Sequence, residues 1–186
     1  MDEQVIRAMA RWPDVAAVHG WLRLDARGRW FLIDRGAPGF DPSQEHSGSR
    51  ITSPPIIDFI GRNYGTDGDG AWYWQNGPQR VYVDLERGPL VFRVFGSGES
   101  ARLVDQTGHP VEAPSAALTD AHGVLYLATG RGPGSIHDLD MAALDIRADD
   151  QDRLHLRLSG TDLQIEPIDG DPADRLRFER RPRPAI

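Results

Sequence analysis

The sequence predicts an α+β protein of mostly antiparallel β-strands, with two short helices in its N-terminal half. Apolar and polar residues alternate through much of the chain, which is typical of strands with one buried face. Clusters of Gly, Asp, Asn and Pro separate the alternating runs and predict tight turns. Apolar residues make up 39% of the 186 residues, so the chain can bury a hydrophobic core.

Helical spacing of apolar residues predicts one helix near residues 3–12 and a second near residues 54–64. Pro13 ends the first helix, because proline disfavours helical geometry at the residue before it. The second helix has Ser53 at its N-cap and Pro54 at the first helical position, where the missing N–H costs nothing.

Strands are predicted on both sides of the turn at residues 25–28, which makes a hairpin of residues 21–32. Residues 34–50 hold Gly, Pro, Ser, Asp and a lone His46, and we expect a mobile loop there. The remaining candidate strands are residues 71–75, 80–85, 90–95, 101–105, 124–129, 144–148, 153–158, 162–168 and 176–179.

An Asp-x-x-Gly-x-x-aromatic pattern occurs three times, from Asp25 to Phe31, from Asp67 to Tyr73 and from Asp120 to Tyr126. An aspartate can accept hydrogen bonds from backbone N–H groups two residues on, and glycine closes such a turn at positive φ. The pattern fits either hairpins that arose independently or an ancient duplication.

A duplication would make residues 17–98 and 99–168 two similar small modules. For the chain as a whole we expect an α+β module at residues 1–98 with both helices, a mostly β module at residues 99–180 and a flexible tail at residues 181–186.

Several short segments carry a resemblance to a known family. They are Asp25-Ala26-Arg27-Gly28-Arg29-Trp30, Pro54-Pro55, Gly70-Ala71-Trp72-Tyr73-Trp74, Gly77-Pro78-Gln79-Arg80-Val81-Tyr82-Val83-Asp84 and Pro89-Leu90. Through this succession of tryptophan hairpin, short helix and Pro-x-x-Val-x-Val strand, residues 21–95 resemble a family of small proteobacterial proteins with no established biochemical function. The resemblance implies an α+β repeat fold and a role in binding or regulation, and it supplies no catalytic residues.

Composition excludes several classes of function. There is no Cys, which removes disulfides, thiolate metal sites and cysteine nucleophiles, and all 21 basic residues are Arg, which removes lysine chemistry. The net charge of −7 argues against nucleic-acid binding. No apolar run is long enough for a membrane span. The chain begins with acidic residues and shows no secretory signal, so we expect a cytoplasmic location.

The aromatic hairpin is the most informative candidate site. Alternation places Trp72 and Trp74 on one face of their strand, and Arg80, Tyr82 and Asp84 on one face of the next. If the turn between the strands brings these five side chains together, they would suit a small planar, anionic or sugar-like ligand. Alternatively, the aromatic rings are core and the arginine stacks over them at the rim.

A glycine-rich loop is a weaker candidate for an anion site, made by Gly130, Gly132, Gly134 and Ser135. Glycines let backbone N–H groups converge on an anion. The loop lacks the Lys-Ser/Thr ending of a phosphate loop, and Pro133 removes one donor, so a plain hairpin loop is the competing interpretation.

We expect no metal and no cofactor. The stretch from Asp67 to Gly70 imitates the start of a calcium loop, but Ala71 and Pro78 stand at two positions that need oxygen ligands. The neighbours of His137 include no second histidine at a spacing that would share an ion.

The function we predict is non-catalytic binding of a small ligand or a protein partner. The first alternative is a hydrolase or isomerase that uses His137, Asp138 and Asp140, and the second is a structural protein that self-associates. A cluster of arginines near the chain end fits either a solvated edge strand or a docking patch for an acidic partner or nucleic acid: Arg175, Arg177, Arg180, Arg181 and Arg183.

Overall fold

The computed structural model of the protein describes residues 1–41 and 48–184. The chain folds as two compact units. The first comprises Met1–Asp25, Arg29–Glu86 and Phe178–Ile186, and the second comprises Ala26–Gly28 and Arg87–Arg177. In the middle of the chain, the boundary between the units therefore lies after Glu86. The sequence analysis placed a module boundary after residue 98, and that domain assignment stays a prediction.

Parts of two sequence-based expectations lie outside the described residues. They are residues 42–47 of the expected mobile loop, with His46, and residues 185–186 of the expected flexible tail.

The first unit contains two helices close to the predicted ones, α1 (Glu3–Arg11) and α2 (Pro54–Arg62). Its described strands are β1 (Val18–Leu24), β2 (Trp30–Leu32), β3 (Ser49–Arg50), β4 (Tyr64–Thr66), β5 (Trp72–Asn76) and β6 (Gln79–Leu85). They form one sheet in the order β3-β2-β1-β6-β5-β4.

Buried and partly exposed side chains alternate along β6, and the buried ones form part of the core of this unit. Val81, Val83 and Leu85 are buried while the residues between them are partly exposed, so one face of the strand packs inward. Aromatic rings extend the core, since the Tyr64 ring contacts Trp30 at 5.1 Å and Trp72 at 5.0 Å between centroids.

The second unit holds β7 (Leu90–Phe95), β8 (Arg102–Asp105), β9 (Pro110–Val111), β10 (Ala116–Thr119), β11 (Leu125–Thr129), β12 (Gly132–Ile136), β13 (Asp145–Ala148), β14 (Leu154–Leu158) and β15 (Thr161–Pro167). Their order in the sheet is β13-β14-β15-β10-β11-β12-β7-β8-β9. Two short 3-10 helices, Gly98–Ser100 and Asp138–Ala143, connect strands.

The predicted strand at residues 176–179 is wrong. Helix α3 (Pro172–Leu176) ends there, with Asp171 accepting a hydrogen bond from the Ala173 N–H at its N-cap. Arg177 then takes the left-handed conformation at φ 57°, which breaks the extended geometry that a strand needs.

The prediction of a mostly β protein with a few short helices is confirmed, but the sheets are mixed rather than antiparallel throughout. Three pairs of strands within residues 1–41 and 48–184 are parallel: β1 with β6, β12 with β7, and β10 with β15. Local alternation and turn chemistry identify hairpins, whereas these parallel pairs join strands that are distant in sequence.

The aspartate turns identified in the sequence share one geometry. In each, an Asp Oδ1 accepts a hydrogen bond from the N–H four residues on, and the residue three positions after the Asp has positive φ. Two turns that the aromatic pattern missed have the same geometry, because it needs no aromatic residue on the following strand. The five aspartates are Asp25, Asp67, Asp105, Asp120 and Asp149.

The two units also repeat one strand order. Strands β7 to β12 follow the order β9-β8-β7-β12-β11-β10, which matches the order β3-β2-β1-β6-β5-β4 of the first unit. Each pairing is antiparallel in both sets except the central one, which is parallel in both.

Candidate functional site: an arginine-lined cavity

The β5–β6 hairpin divides the five side chains of the predicted site between its two faces. Trp74 lies directly opposite Val81, so the two tryptophans share the buried face of the sheet with the valines. Arg80, Tyr82 and Asp84 lie on the opposite face. The structure therefore brings three of the predicted residues to one face and leaves the tryptophans on the other.

The tryptophans pack into the first unit. Trp72 is 4% exposed, and the Trp74 ring meets the Phe59 ring of α2 edge-on at 5.8 Å. The Arg80 guanidinium stacks over Tyr73, 4.5 Å from the ring centroid. The two indoles therefore face the interior of the unit, and Arg80 covers the buried ring of Tyr73.

On the other face of the sheet, Tyr82 packs against His19, which the sequence analysis did not select as a site residue. The His19 ring of β1 stacks on Tyr82, with centroids 4.6 Å apart and planes inclined by 12°. The Tyr82 hydroxyl donates to Asp67 Oδ2 at 3.0 Å, and burial raises the pKa of the phenol. Burial, and then the nearby charge of Arg183, lower the pKa of His19, so the imidazole is neutral at pH 7.

A cavity of about 840 Å³ opens beside these rings, within the first unit. His19, Trp21 and Phe40 contribute rings to its wall, and Val18 and Ile33 contribute aliphatic surface. Among residues 1–41 and 48–184, the lining contains two carboxylates, Asp84 and Glu86, and five arginines: Arg23, Arg35, Arg180, Arg181 and Arg183. Arginines are therefore concentrated in this part of the lining, although the whole chain carries a net charge of −7.

The carboxylates of the cavity are held in ion pairs. Asp84 accepts from both terminal nitrogens of Arg183, at 2.9 and 3.3 Å, and Glu86 accepts from Arg23 at 2.6 Å. Each of these two acids therefore neutralises one of the arginines that line the cavity.

The end of the described chain forms one wall of the cavity. The Leu85 N–H donates to the Arg180 carbonyl at 2.8 Å, and the Arg180 guanidinium donates to the Glu86 carbonyl at 3.0 Å. Pro182 is buried. The last three arginines of the cluster noted in the sequence therefore lie along β6 at the cavity, whereas Arg175 pairs with Glu166 at 3.5 Å in the second unit.

The residues of the enzymatic alternative lie in the second unit. Asp138 pairs with Arg27 at 2.6 Å, and this hydrogen bond lowers the pKa of the carboxyl. Asp140 pairs with Arg93 at 2.6 Å; burial raises the pKa of Asp140, but the hydrogen bonds from Arg93 and the Val94 N–H outweigh it and leave the pKa below its ordinary value. Both carboxylates are thus engaged in ion pairs.

The glycine-rich loop belongs largely to strand β12. Gly132 and Gly134 lie in the strand, and Gly134 pairs with Leu127 of β11 on one side and Leu90 of β7 on the other. Ser135 is fully buried, and Gly130 lies at the hairpin end before the strand. The backbone groups considered for an anion site at Gly134 therefore lie between two neighbouring strands.

Residues 1–41 and 48–184 contain no group of three His, Asp or Glu side chains placed to hold a metal ion. In the same part of the chain, no helix combines the length and apolarity needed to cross a bilayer.

The sequence analysis missed His19 and Arg35 as site residues. Both lie far in sequence from the aromatic hairpin, and the parallel pairing of β1 with β6 brings this part of the chain to the cavity. A usable signal was present in the arginines at the chain end, because a cationic cluster in an acidic chain indicates a localised site.

Comparison with known proteins gives a fold relative and a family. A crystal structure of a DUF1285 family protein from Silicibacter pomeroyi DSS-3 matches with a TM-score of 0.54 and 16% identity, covering 82% of this chain and 84% of that chain. This likeness concerns the fold. No curated protein matches the chain. The DUF2944 family model, which carries the description "Protein of unknown function (DUF2946)", matches residues 1–183. The predicted kinship with a family without an established biochemical function is confirmed, and the chain belongs to this family.

Proposed function

We propose that this protein binds a small anionic ligand with a planar or apolar body in the cavity of its first unit, without catalysing a reaction on it. The observation that carries the proposal is the concentration of five arginines in the part of the cavity lining that the structure describes. Guanidinium groups bind carboxylates and phosphates with paired hydrogen bonds, which gives both affinity and orientation.

The size and walls of the cavity support a small molecule. Its volume of about 840 Å³ lies within the range of about 300–1,000 Å³ that is usual for ligand sites. The rings of Trp21 and Phe40 and the side chains of Val18 and Ile33 offer apolar contact beside the charges. Of the residues selected from the sequence, Asp84 stays in the proposal as a lining residue and Tyr82 as the ring that supports His19, whereas Arg80 does not line this cavity.

Binding is favoured over the enzymatic alternative by the state of the acids near His137. Asp138 and Asp140 are each held by an arginine, and their lowered pKa values make them poor proton donors or acceptors at neutral pH.

A cytoplasmic location also belongs to the proposal, and a chain without cysteine is compatible with that compartment.

We infer in addition that the units arose by duplication of a six-stranded module. Strands β1–β6 and β7–β12 share one order and one set of pairing directions. Thr66-Asp67 and Thr119-Asp120 open the equivalent turns, β4–β5 and β10–β11. In a crystal structure the two modules should superpose with Asp67 on Asp120, and a superposition that offsets these aspartates would contradict the duplication.

Calorimetric titration with benzoate and phenyl phosphate tests the binding function. The double variant Arg181→Gln/Arg183→Gln removes two charges from the cavity, and Arg7→Gln/Arg11→Gln removes two exposed charges from α1. We expect binding to the wild type and the α1 variant, and at least about tenfold weaker binding to the cavity variant, equivalent to ~1.4 kcal/mol. Absence of binding to the wild type, or an equal loss in both variants, would contradict the proposal.

A further inference from the structure

We propose that Arg35 is the residue that anchors the ligand and that it binds the carboxylate or phosphoryl group of a small acid with an apolar ring. This inference rests on the proposed function, because it concerns the same cavity. It adds the charged contact and the class of ligand.

The position of Arg35 is fixed on two sides. Its Nη1 donates a hydrogen bond to the His19 carbonyl, and its guanidinium lies over the Phe40 ring, 5.4 Å from the centroid. An arginine that is stacked on an aromatic ring and bonded to a backbone carbonyl has lost much of its side-chain freedom before a ligand arrives. Less entropy is then lost on binding.

The backbone beside Arg35 leaves room for this guanidinium. Gly20 has φ +71°, a conformation that other residues rarely adopt. A Cβ on Gly20 would lie 2.9 Å from Arg35 Nη1, closer than a side-chain carbon normally approaches. Because Gly20 has no side chain, this position in β1 leaves the space that the Arg35 guanidinium occupies.

Within the described part of the chain, Arg35 differs from Arg23 and Arg183 in forming no ion pair, although Asp84 Oδ2 also lies near Gly20, 4.0 Å from the position that a Cβ would take there. Among residues 1–41 and 48–184, no carboxylate lies within 4.0 Å of its guanidinium, whereas Arg23 is paired with Glu86 and Arg183 with Asp84. Removing a cation from water without a counter-charge is unfavourable. An anionic group of a ligand would supply the direct ion pair that this partly buried guanidinium lacks.

The surroundings of Arg35 indicate the rest of the ligand. Ile33, Val18 and Phe40 line the cavity with it and present apolar surface, and Ile33 is only 6% exposed. A ligand whose charged group contacts Arg35 would therefore place its uncharged part against these side chains. An aromatic carboxylate or aryl phosphate satisfies both requirements, and a small highly charged ion satisfies only the first.

Titration of Arg35→Gln, Arg35→Lys and Gly20→Ala with benzoate tests the anchor, with benzamide as the uncharged ligand and Arg7→Gln as the matched control. We expect Arg35→Gln to weaken benzoate binding at least about tenfold, because a charge-assisted hydrogen bond is lost. Arg35→Lys should recover part of the affinity, since lysine keeps the charge and lacks the planar fork. Gly20→Ala should weaken binding while the arginine remains, and benzamide should bind weakly to every variant.

Three outcomes decide the matter. If benzoate binds the wild type and Arg35→Gln equally but the Arg181→Gln/Arg183→Gln variant poorly, the anchor is refuted and the proposed function stands. If benzoate and phenyl phosphate do not bind the wild type, both fail. If Arg35→Gln does not fold, Arg35→Lys and Gly20→Ala provide the same comparison, and unchanged affinity in both of them refutes the anchor.

Discussion

The carboxylate of Asp84 on β6 accepts hydrogen bonds from both terminal nitrogens of Arg183, at 2.9 and 3.3 Å. This pair joins the last described residues of the chain to the middle of the first sheet, and it lies in the wall of the cavity. It also occupies a guanidinium that could otherwise contact a ligand. Asp84 therefore stabilises the wall, and under the proposed function it would compete with a bound anion for Arg183.

Asp84→Asn should strengthen the binding of benzoate several-fold. The change removes one negative charge from the cavity and releases Arg183, while an amide of the same shape keeps the volume of the side chain. Calorimetric titration at low and high salt would measure the effect, which should shrink as salt screens the charges. Weaker binding by this variant would show that the ion pair organises the site rather than competing with the ligand.

Asp105→Ala should cost more stability than Asp149→Ala, although both aspartates close turns of the same geometry. The Asp105 side chain is fully buried and pairs with Arg131 at 2.6 Å, whereas the Asp149 side chain is 26% exposed. Asp105→Ala leaves the Thr107 and His109 N–H groups without their acceptor, and a buried donor left unsatisfied costs about 1–3 kcal/mol. Urea unfolding of both variants measures the difference, and equal losses would mean that the turn geometry alone sets the cost.

Gly134→Ala should destabilise the second unit, and Gly130→Ala in the same hairpin should be close to neutral. A Cβ on Gly134 would lie 2.5 Å from the Leu90 carbonyl oxygen, a backbone atom of the paired strand β7. Nothing lies within 4 Å of a Cβ on Gly130. Overpacking of this kind costs about 1–3 kcal/mol. Thermal unfolding would compare the two variants, and a similar midpoint for both would contradict the steric argument.

His19→Phe should make the free energy of unfolding less dependent on pH below pH 7. Burial holds the pKa of His19 in the folded state below the ordinary histidine value of about 6.5, so the unfolded chain binds the proton more tightly. This group's contribution to stability is full above pH 6.5 and is lost as pH falls through the folded-state pKa. Phenylalanine keeps a ring against Tyr82 and does not titrate.

Urea unfolding at pH 7.5 and pH 5.5 provides the measurement for His19. The wild type should lose more stability than the variant between these two values. A matched control is His122→Phe, since His122 is an exposed residue of the Asp120 turn. If His122→Phe changes the pH dependence as much as His19→Phe does, burial of His19 is not the cause.

The sequence predicted the local elements better than the pairing of distant ones. Pro54 begins α2, and Asp25 closes the first hairpin, because capping and turn chemistry act within a few residues. Parallel pairs such as Val18 with Val81 depend on strands that are far apart in the chain. No local pattern identifies such partners.

For the candidate site, the sequence likewise predicted which side chains share a face of one strand, but not which strands and loops meet. Alternation correctly placed Arg80, Tyr82 and Asp84 on one face of β6, since side chains alternate along a strand. It could not decide whether the tryptophans of β5 share that face, because the answer depends on the register of the hairpin. Arg35 reaches the cavity through tertiary structure alone.

The parallel pairing of β1 with β6 has a consequence for how fast the protein folds. Val18 pairs with Val81 at the centre of the first sheet, so forming this contact closes a long loop of the chain and carries the entropy cost of that closure. Proteins dominated by such distant pairings fold in milliseconds to seconds, whereas isolated hairpins form in about 1–10 μs. The aspartate turns are therefore expected to form early, and closure of the β1–β6 ladder is expected to limit the refolding rate.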